Sequence, residues 1–173
     1  MRLKGQAGDF FQAQVEAVKD DKIRLNDAYL RLGDCRFVTA KYWPAMDAYN
    51  KVIDMKSVDA DYAAFQKGIS YGFVNKPERK MEEFEKFSRT YTKSQYIDDA
   101  LYELGNTYVN QTLNEKALLT YDDLIANHTS SSYVAKAILK QGLIYYNGNK
   151  EEQAKQVSQL MAARFNDPTE YQL

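Results

Sequence analysis

Apolar residues along the chain recur in two helical stripes separated by short polar breaks. In "ALYELGNTYV", Leu101, Leu104 and Tyr108 fall on one helix face together with Gly105. A second stripe follows at Ala117, Tyr121 and Leu124. The same alternation runs through most of the chain, broken at "TAKYWP", "NKPE", "QTLN" and "NGNK". Pro44 and Pro77 stand where a second stripe opens, and the first turn of a helix tolerates proline because its N–H is unpaired there. Ser94, and Ser131 or Ser132, precede first stripes and read as N-caps, whereas Pro168 lies past the last stripe. The pattern predicts helices over 8–19, 25–38, 44–54, 60–74, 77–90, 95–110, 114–126, 132–147 and 150–165.

The stripes belong to a repeat. "AYLRLGDCRF", "AFQKGISYGF", "ALYELGNTYV" and "AILKQGLIYY" align on Gly33, Gly68, Gly105 and Gly142, spaced by 35, 37 and 37 residues. Twelve residues past each glycine stand Ala45, Lys80, Ala117 and Ala154; sixteen past stand Tyr49, Phe84, Tyr121 and Ser158. Spacings within a unit hold while unit length varies, so the variable residues sit in the joints "DMKSVDAD", "SRTYTKSQYID" and "NHTSSSYVA". Each unit therefore reads as a helical hairpin of fixed design. Four glycines inside helices cost about 4 kcal/mol in propensity. Close approach of the paired helices explains them, with the alanine at +12 as the expected small partner.

These residues resemble the tetratricopeptide repeat, carried by "AYLRLGDCRF…YWPAMDAYNKVI" and "ALYELGNTYV…NEKALLTYDDLI". The resemblance covers residues 25–165 and implies an all-α, right-handed α-α superhelix of about nine antiparallel helices. It divides a single domain, 1–173, into a leading half repeat (8–24), four repeats (25–59, 60–94, 95–131 and 132–165) and a tail (166–173). Departures are Lys80 for the alanine, Ser158 for the aromatic, Arg36 for the tyrosine three past the glycine, and Lys67 and Gln141 for the leucine. The long joints and their Ser-x-Tyr motif also resemble repeats of bacterial envelope proteins, such as the Tol-Pal coordinator and the outer-membrane assembly lipoprotein. That likeness implies a periplasmic or outer-membrane-associated setting; without it the expectation is cytoplasmic.

Composition narrows the function classes. The 173 residues carry a formal net charge of −1, which gives no support to nucleic-acid binding. No apolar run reaches the length of a membrane span, and "MRLKGQAGDF" has no hydrophobic signal region. Cys35 and His128 are the only residues of their kinds, so an intrachain disulfide cannot form and a thiolate metal site is disfavoured. Cys35 reads as a small buried side chain and His128 as a solvated joint residue. Asp98/Asp99 and Asp122/Asp123 are adjacent and diverge around their helices, and Glu82 faces Lys86 at i,i+4. No catalytic constellation, metal site or cofactor loop emerges, so an enzyme is the weakest case.

The resemblance implies a groove lined by the first helix of each hairpin. It maps onto Leu30, Asp34 and Phe37, then Phe65, Ile69 and Phe73, then Tyr102, Asn106 and Asn110, then Leu139, Leu143, Tyr146 and Asn147. Asparagine offers donor and acceptor to an extended peptide, and tyrosine gives contact area at low entropic cost. The expected partner is a protein or peptide. Leu30, Phe65, Tyr102 and Leu139 occupy the register where carboxylate-clamping relatives carry lysine, which disfavours that chemistry. The 14 tyrosines leave a glycan or cell-wall ligand as the alternative. Val157, Leu160, Met161 and Phe165 on the last helix have no following unit to cover them, so the expectation is either that the chain is a fragment of a longer array or that this face pairs with another copy, as a homodimer through that helix.

Overall fold

The computed structural model describes residues 2–164, with side chains from residue 6. Nine helices are present among them: α1 (Arg2–Ala17), α2 (Lys22–Val38), α3 (Tyr42–Asp54), α4 (Ala60–Phe73), α5 (Pro77–Thr90), α6 (Ile97–Asn110), α7 (Asn114–Asn127), α8 (Val134–Asn147) and α9 (Glu151–Arg164). No strand occurs among the described residues, and none of their helices is long and apolar enough to cross a membrane. Phe165 and the tail 166–173, Pro168 included, lie outside them.

Boundaries shift where local chemistry outweighs pattern. Helix α1 starts at Arg2, not residue 8, and runs through Gly5 and Gly8. Its Phe11 and Val15, with Val18 just past its end, pack on Ala28 and Leu32, and packing of this kind overrides glycine's poor propensity. Helix α2 starts three residues early because Asp21 Oδ1 accepts from the N–H groups of Ile23 and Arg24, both at 3.1 Å. Helix α3 starts at Tyr42, so Pro44 lies third in its first turn, still among unpaired N–H positions. Neither Ser94 nor Ser131 is an N-cap residue, because α6 and α8 begin further on.

All four hairpin turns share one geometry. Seven residues past each aligned glycine the backbone enters the left-handed region, at Ala40, Asn75, Thr112 and Asn149, with φ between 53° and 59°. The next N–H then closes back on the carbonyl five residues earlier: Lys41 on Arg36, Lys76 on Tyr71, Leu113 on Tyr108 and Lys150 on Tyr145, at 2.8–3.0 Å. Asparagine adopts this conformation readily, whereas Ala40 and the β-branched Thr112 are strained there.

The aligned glycines mark where the paired helices meet, but the close partner differs from expectation. A Cβ on Gly33 would stand 2.5 Å from the ring of Tyr49, and one on Gly68 2.7 Å from the ring of Phe84. A Cβ on Gly105 would collide with the ring of Tyr121 in the same way. The aromatic at +16 fills the space, and the alanine at +12 packs beside it. Tyr49, Phe84 and Tyr121 are wholly buried. Burying such a ring stabilises by about 1.5–3 kcal/mol, which outweighs the roughly 1 kcal/mol cost of a helical glycine.

The departures from the repeat pattern are each accommodated. Lys67 pairs with Glu83 at 2.8 Å in a largely buried ion pair between α4 and α5. Gln141 donates to Asp122 Oδ1 at 2.7 Å. Arg36 donates to the Pro44 carbonyl and to Gln12 Oε1, and Lys80 lies 5.8 Å from the centre of the Phe84 ring. Ser158 replaces a ring, and Val157 Cγ1 takes the place facing Gly142, 3.4 Å from where a Cβ would stand. On α5 the ion pair of Glu82 is with Arg79, not Lys86.

The helices pack as two compact units, Met1–Ile97 and Asp98–Leu173. In the first, Val15, Ala28, Leu32 and Ala48 join α1, α2 and α3, and Ala45, Tyr49, Val52 and Ala63 join α3 to α4. In the second, Leu101, Leu104, Tyr108, Ala117, Tyr121, Leu124, Ala137 and Ile138 are buried.

Two substitutions test these constraints by urea unfolding. Gly142→Ala meets only Val157, at 3.4 Å, so it should stabilise by up to about 1 kcal/mol. Ala40→Gly relieves a left-handed residue and should also stabilise by about 1 kcal/mol. Destabilisation by either would contradict the geometry.

Candidate peptide-binding face

Three joints fasten each repeat to its own beginning. Ser57 Oγ donates to Asn26 Oδ1 (2.7 Å), Ser94 Oγ to Asp61 Oδ2 (2.6 Å) and Ser131 Oγ to Asp98 Oδ2 (2.6 Å). Ser94 and Ser131 also accept from the N–H of Tyr96 and Tyr133 two residues on, each at 3.1 Å. The Ser-x-Tyr motif thus works as a latch. Its serine reaches back 33 residues, and its tyrosine stacks on the preceding first helix: Tyr96 on Phe65 (5.4 Å) and Tyr133 on Tyr102 (4.6 Å). Asp98 and Asp99 both serve this joint, Asp98 accepting from Ser131 Oγ and Asp99 from the Tyr133 hydroxyl at 2.7 Å, so the pair meets on one latch instead of diverging.

The candidate groove residues divide into half-buried and exposed groups. In the first unit, Phe65 is packed among Tyr96, Phe84 and Phe87. Phe37 meets Tyr42 and Phe73, whose rings stack at 4.8 Å. Ile69 is half-buried and Phe73 exposed. Leu30 is half-buried, and Asp34 Oδ1 accepts from the hydroxyls of Tyr49 (2.8 Å) and Tyr62 (3.0 Å).

In the second unit, one face of α6 carries Tyr102, Asn106 and Asn110 at four-residue spacing. The Tyr121 hydroxyl donates to Asn106 Oδ1 at 3.0 Å, which leaves the Asn106 amide hydrogens as donors; Asn110 is exposed. On α8, Leu139, Leu143, Tyr146 and Asn147 are all exposed. Tyr96, Tyr102 and Tyr133, part of the tyrosine content behind the glycan alternative, already stack on protein rings.

Tyrosine hydroxyls dominate the electrostatics. The hydrogen bond to Asp99, then burial, pushes Tyr133 up to about 12. Burial, then the charge of Asp34, pushes Tyr62 up to about 12. Burial also raises Tyr49 and Tyr121. Cys35 is half-buried beside Gly8 of α1, and His128 caps the end of α7. Among the described residues no cluster of metal-ligating side chains forms.

Residues 99–131 and 136–165 match the tetratricopeptide repeat family model. The chain has the tetratricopeptide-repeat fold. Solved structures agree across nearly its whole length. MamA superposes with a TM-score of 0.72 at 18% identity, covering 98% of this chain and 95% of its own. YrrB, described as a TPR protein with an unusual peptide-binding site, gives 0.67 at 15% identity, covering 97% and 81%. BtubC from P. vanneervenii gives 0.65 at 16% identity, covering 98% and 76%. No curated protein matches the chain.

The latch of this tetratricopeptide-repeat hairpin makes a pH prediction. Tyr133 and Tyr62 titrate near 10 when unfolded and near 12 when folded, so the folded state holds protons that the unfolded state releases. Stability should be complete below about pH 10 and fall as pH rises toward about 12. Tyr133→Phe should cost about 1 kcal/mol at neutral pH and flatten that fall. Urea midpoints measured against pH would show it; a midpoint that rises with alkalinity would exclude the latch.

Proposed function

We propose that the chain is a non-enzymatic scaffold that binds an extended peptide or protein segment on the groove faces of its first-of-hairpin helices. Asn106 carries this reading. Its carbonyl oxygen is committed to Tyr121, so its two amide hydrogens are presented in a fixed direction beside Tyr102 and one turn from Asn110. Fixed donors on a rigid helix suit backbone carbonyls of an extended ligand, because the ordering cost is met during folding. In the first unit, the exposed edge of the Phe37–Tyr42–Phe73 cluster offers apolar contact to a ligand side chain. The peptide-binding site ascribed to YrrB, on the same fold, supports the class of ligand. The Ser-x-Tyr latch joints support placing the scaffold within a bacterial envelope protein.

Tyr102 and Asn106 also hold the repeat together, so truncating them would confound binding with folding. Asn106→Asp keeps the acceptor for Tyr121 and removes both amide donors. Peptides selected from a random display library on the wild-type chain should bind Asn106→Asp about tenfold more weakly, with an unchanged urea midpoint. Asn110→Ala should weaken them further. Selected peptides that bind both variants as tightly as wild type would refute the groove.

A further inference from the structure

One groove position of the first unit carries a charge that the packing does not require. Asp34 follows Gly33, and in the second unit Asn106 follows Gly105 at the same register. Each accepts from the ring that lies over its glycine, Asp34 Oδ1 from the Tyr49 hydroxyl and Asn106 Oδ1 from that of Tyr121. A neutral amide oxygen satisfies the hydroxyl in one hairpin, so the other hairpin does not need a carboxylate for it. Asp34 is half-buried, and a carboxylate so placed costs stability unless a cation answers it.

Among the described residues no cation does. Arg31, one turn earlier on α2, is bound to both oxygens of Asp27 at 2.8 and 2.9 Å. The other ion pairs of this unit join Arg24 to Asp21, Lys67 to Glu83 and Arg79 to Glu82. The hydrogen bonds to Asp34 are one-sided. Tyr49 and Tyr62 both donate to Oδ1, and Gln66 Nε2 steadies Tyr62 by donating to its hydroxyl at 3.1 Å. The carboxylate is thereby held in place, while Oδ2 accepts from none of the described residues.

Its surroundings are aromatic. Phe37 lies one turn beyond Asp34 on the same face of α2. The Phe37 ring meets that of Phe73 edge-on at 5.4 Å, and Phe73, stacked on Tyr42, is 59% exposed. Of the groove positions Leu30, Asp34, Phe37, Phe65, Ile69 and Phe73, Asp34 alone is charged. A fixed anion beside exposed rings, with no positive charge on the strip, matches a long basic side chain. Its apolar stem lies on rings while its head reaches an oxygen.

We infer that, given the peptide-binding reading of this groove, the first unit selects a lysine or arginine of the bound peptide. Asp34 Oδ2 takes the cationic head, and the edge of the Phe37–Phe73 pair takes the stem. The α6 donors of the second unit hold peptide backbone; Asp34 adds a preference for charge.

Peptides selected on the wild-type chain from a random phage-displayed library should be enriched in lysine or arginine. Asp34→Asn keeps an acceptor for both hydroxyls and removes the charge, so its urea midpoint should not fall. A selected basic peptide should bind Asp34→Asn about tenfold more weakly than wild type. Its copy with norleucine for lysine and citrulline for arginine should bind the two proteins equally. Selected peptides with no basic enrichment, or an Asp34→Asn loss that is the same for both copies, would overturn this inference. Such peptides would still lose affinity on Asn106→Asp, so the groove itself would stand. A library that yields no binder would overturn both.

Discussion

An aromatic ring seated on the backbone of a facing glycine is the contact on which each of the first three hairpins depends. It forces glycine into the middle of a helix, buries a large side chain, and sets the distance between the two helices. In two of the three hairpins the ring is also tied at its far end, Tyr49 to Asp34 and Tyr121 to Asn106. The ring is thereby fixed in position as well as depth. Phe84 lacks that hydroxyl, and its hairpin carries the Lys67–Glu83 ion pair and the cation of Lys80 in its place. Different chemistry maintains the same spacing.

A second constraint operates along the chain. The joint serines bond back to the first turns of their own repeats, and the joint tyrosines stack on the helix they have just left. These latches explain why joints of the same length recur at Ser94 and Ser131. They also place Tyr133 beside a carboxylate, which couples the fold to alkaline pH. In the first repeat Asp59 stands where the tyrosine would be and accepts instead from Asn26 at 2.8 Å.

Much of this was legible in the residues. Glycine register, hairpin order and turn positions followed from spacing, because helical packing repeats whenever its sequence does. The identity of the glycine's partner did not. Alanine at +12 and tyrosine at +16 both face the first helix, and only coordinates show which atom fills the gap. The early start of α1 was hidden by Gly5 and Gly8, whose poor propensity is outweighed by Phe11, Val15 and Val18. A cap and a latch place a serine at the same point of the chain, so spacing alone does not distinguish them at Ser94 and Ser131. Of the candidate face, the positions were readable, but the anchoring of Asn106 by Tyr121 and the stacking of Tyr102 on Tyr133 were not, since each joins residues far apart in sequence.

A double-mutant cycle between positions 105 and 121, read as unfolding free energies in urea, tests the ring-on-glycine contact most directly. With Tyr121 present, Gly105→Ala forces the collision and should destabilise by about 1–3 kcal/mol. With Tyr121→Ala already made, the same change should be neutral or stabilise by up to about 1 kcal/mol, as an ordinary helical glycine-to-alanine exchange does. Equal effects of Gly105→Ala in the two backgrounds would mean that the ring does not rest on the glycine, and that something else spaces the helices.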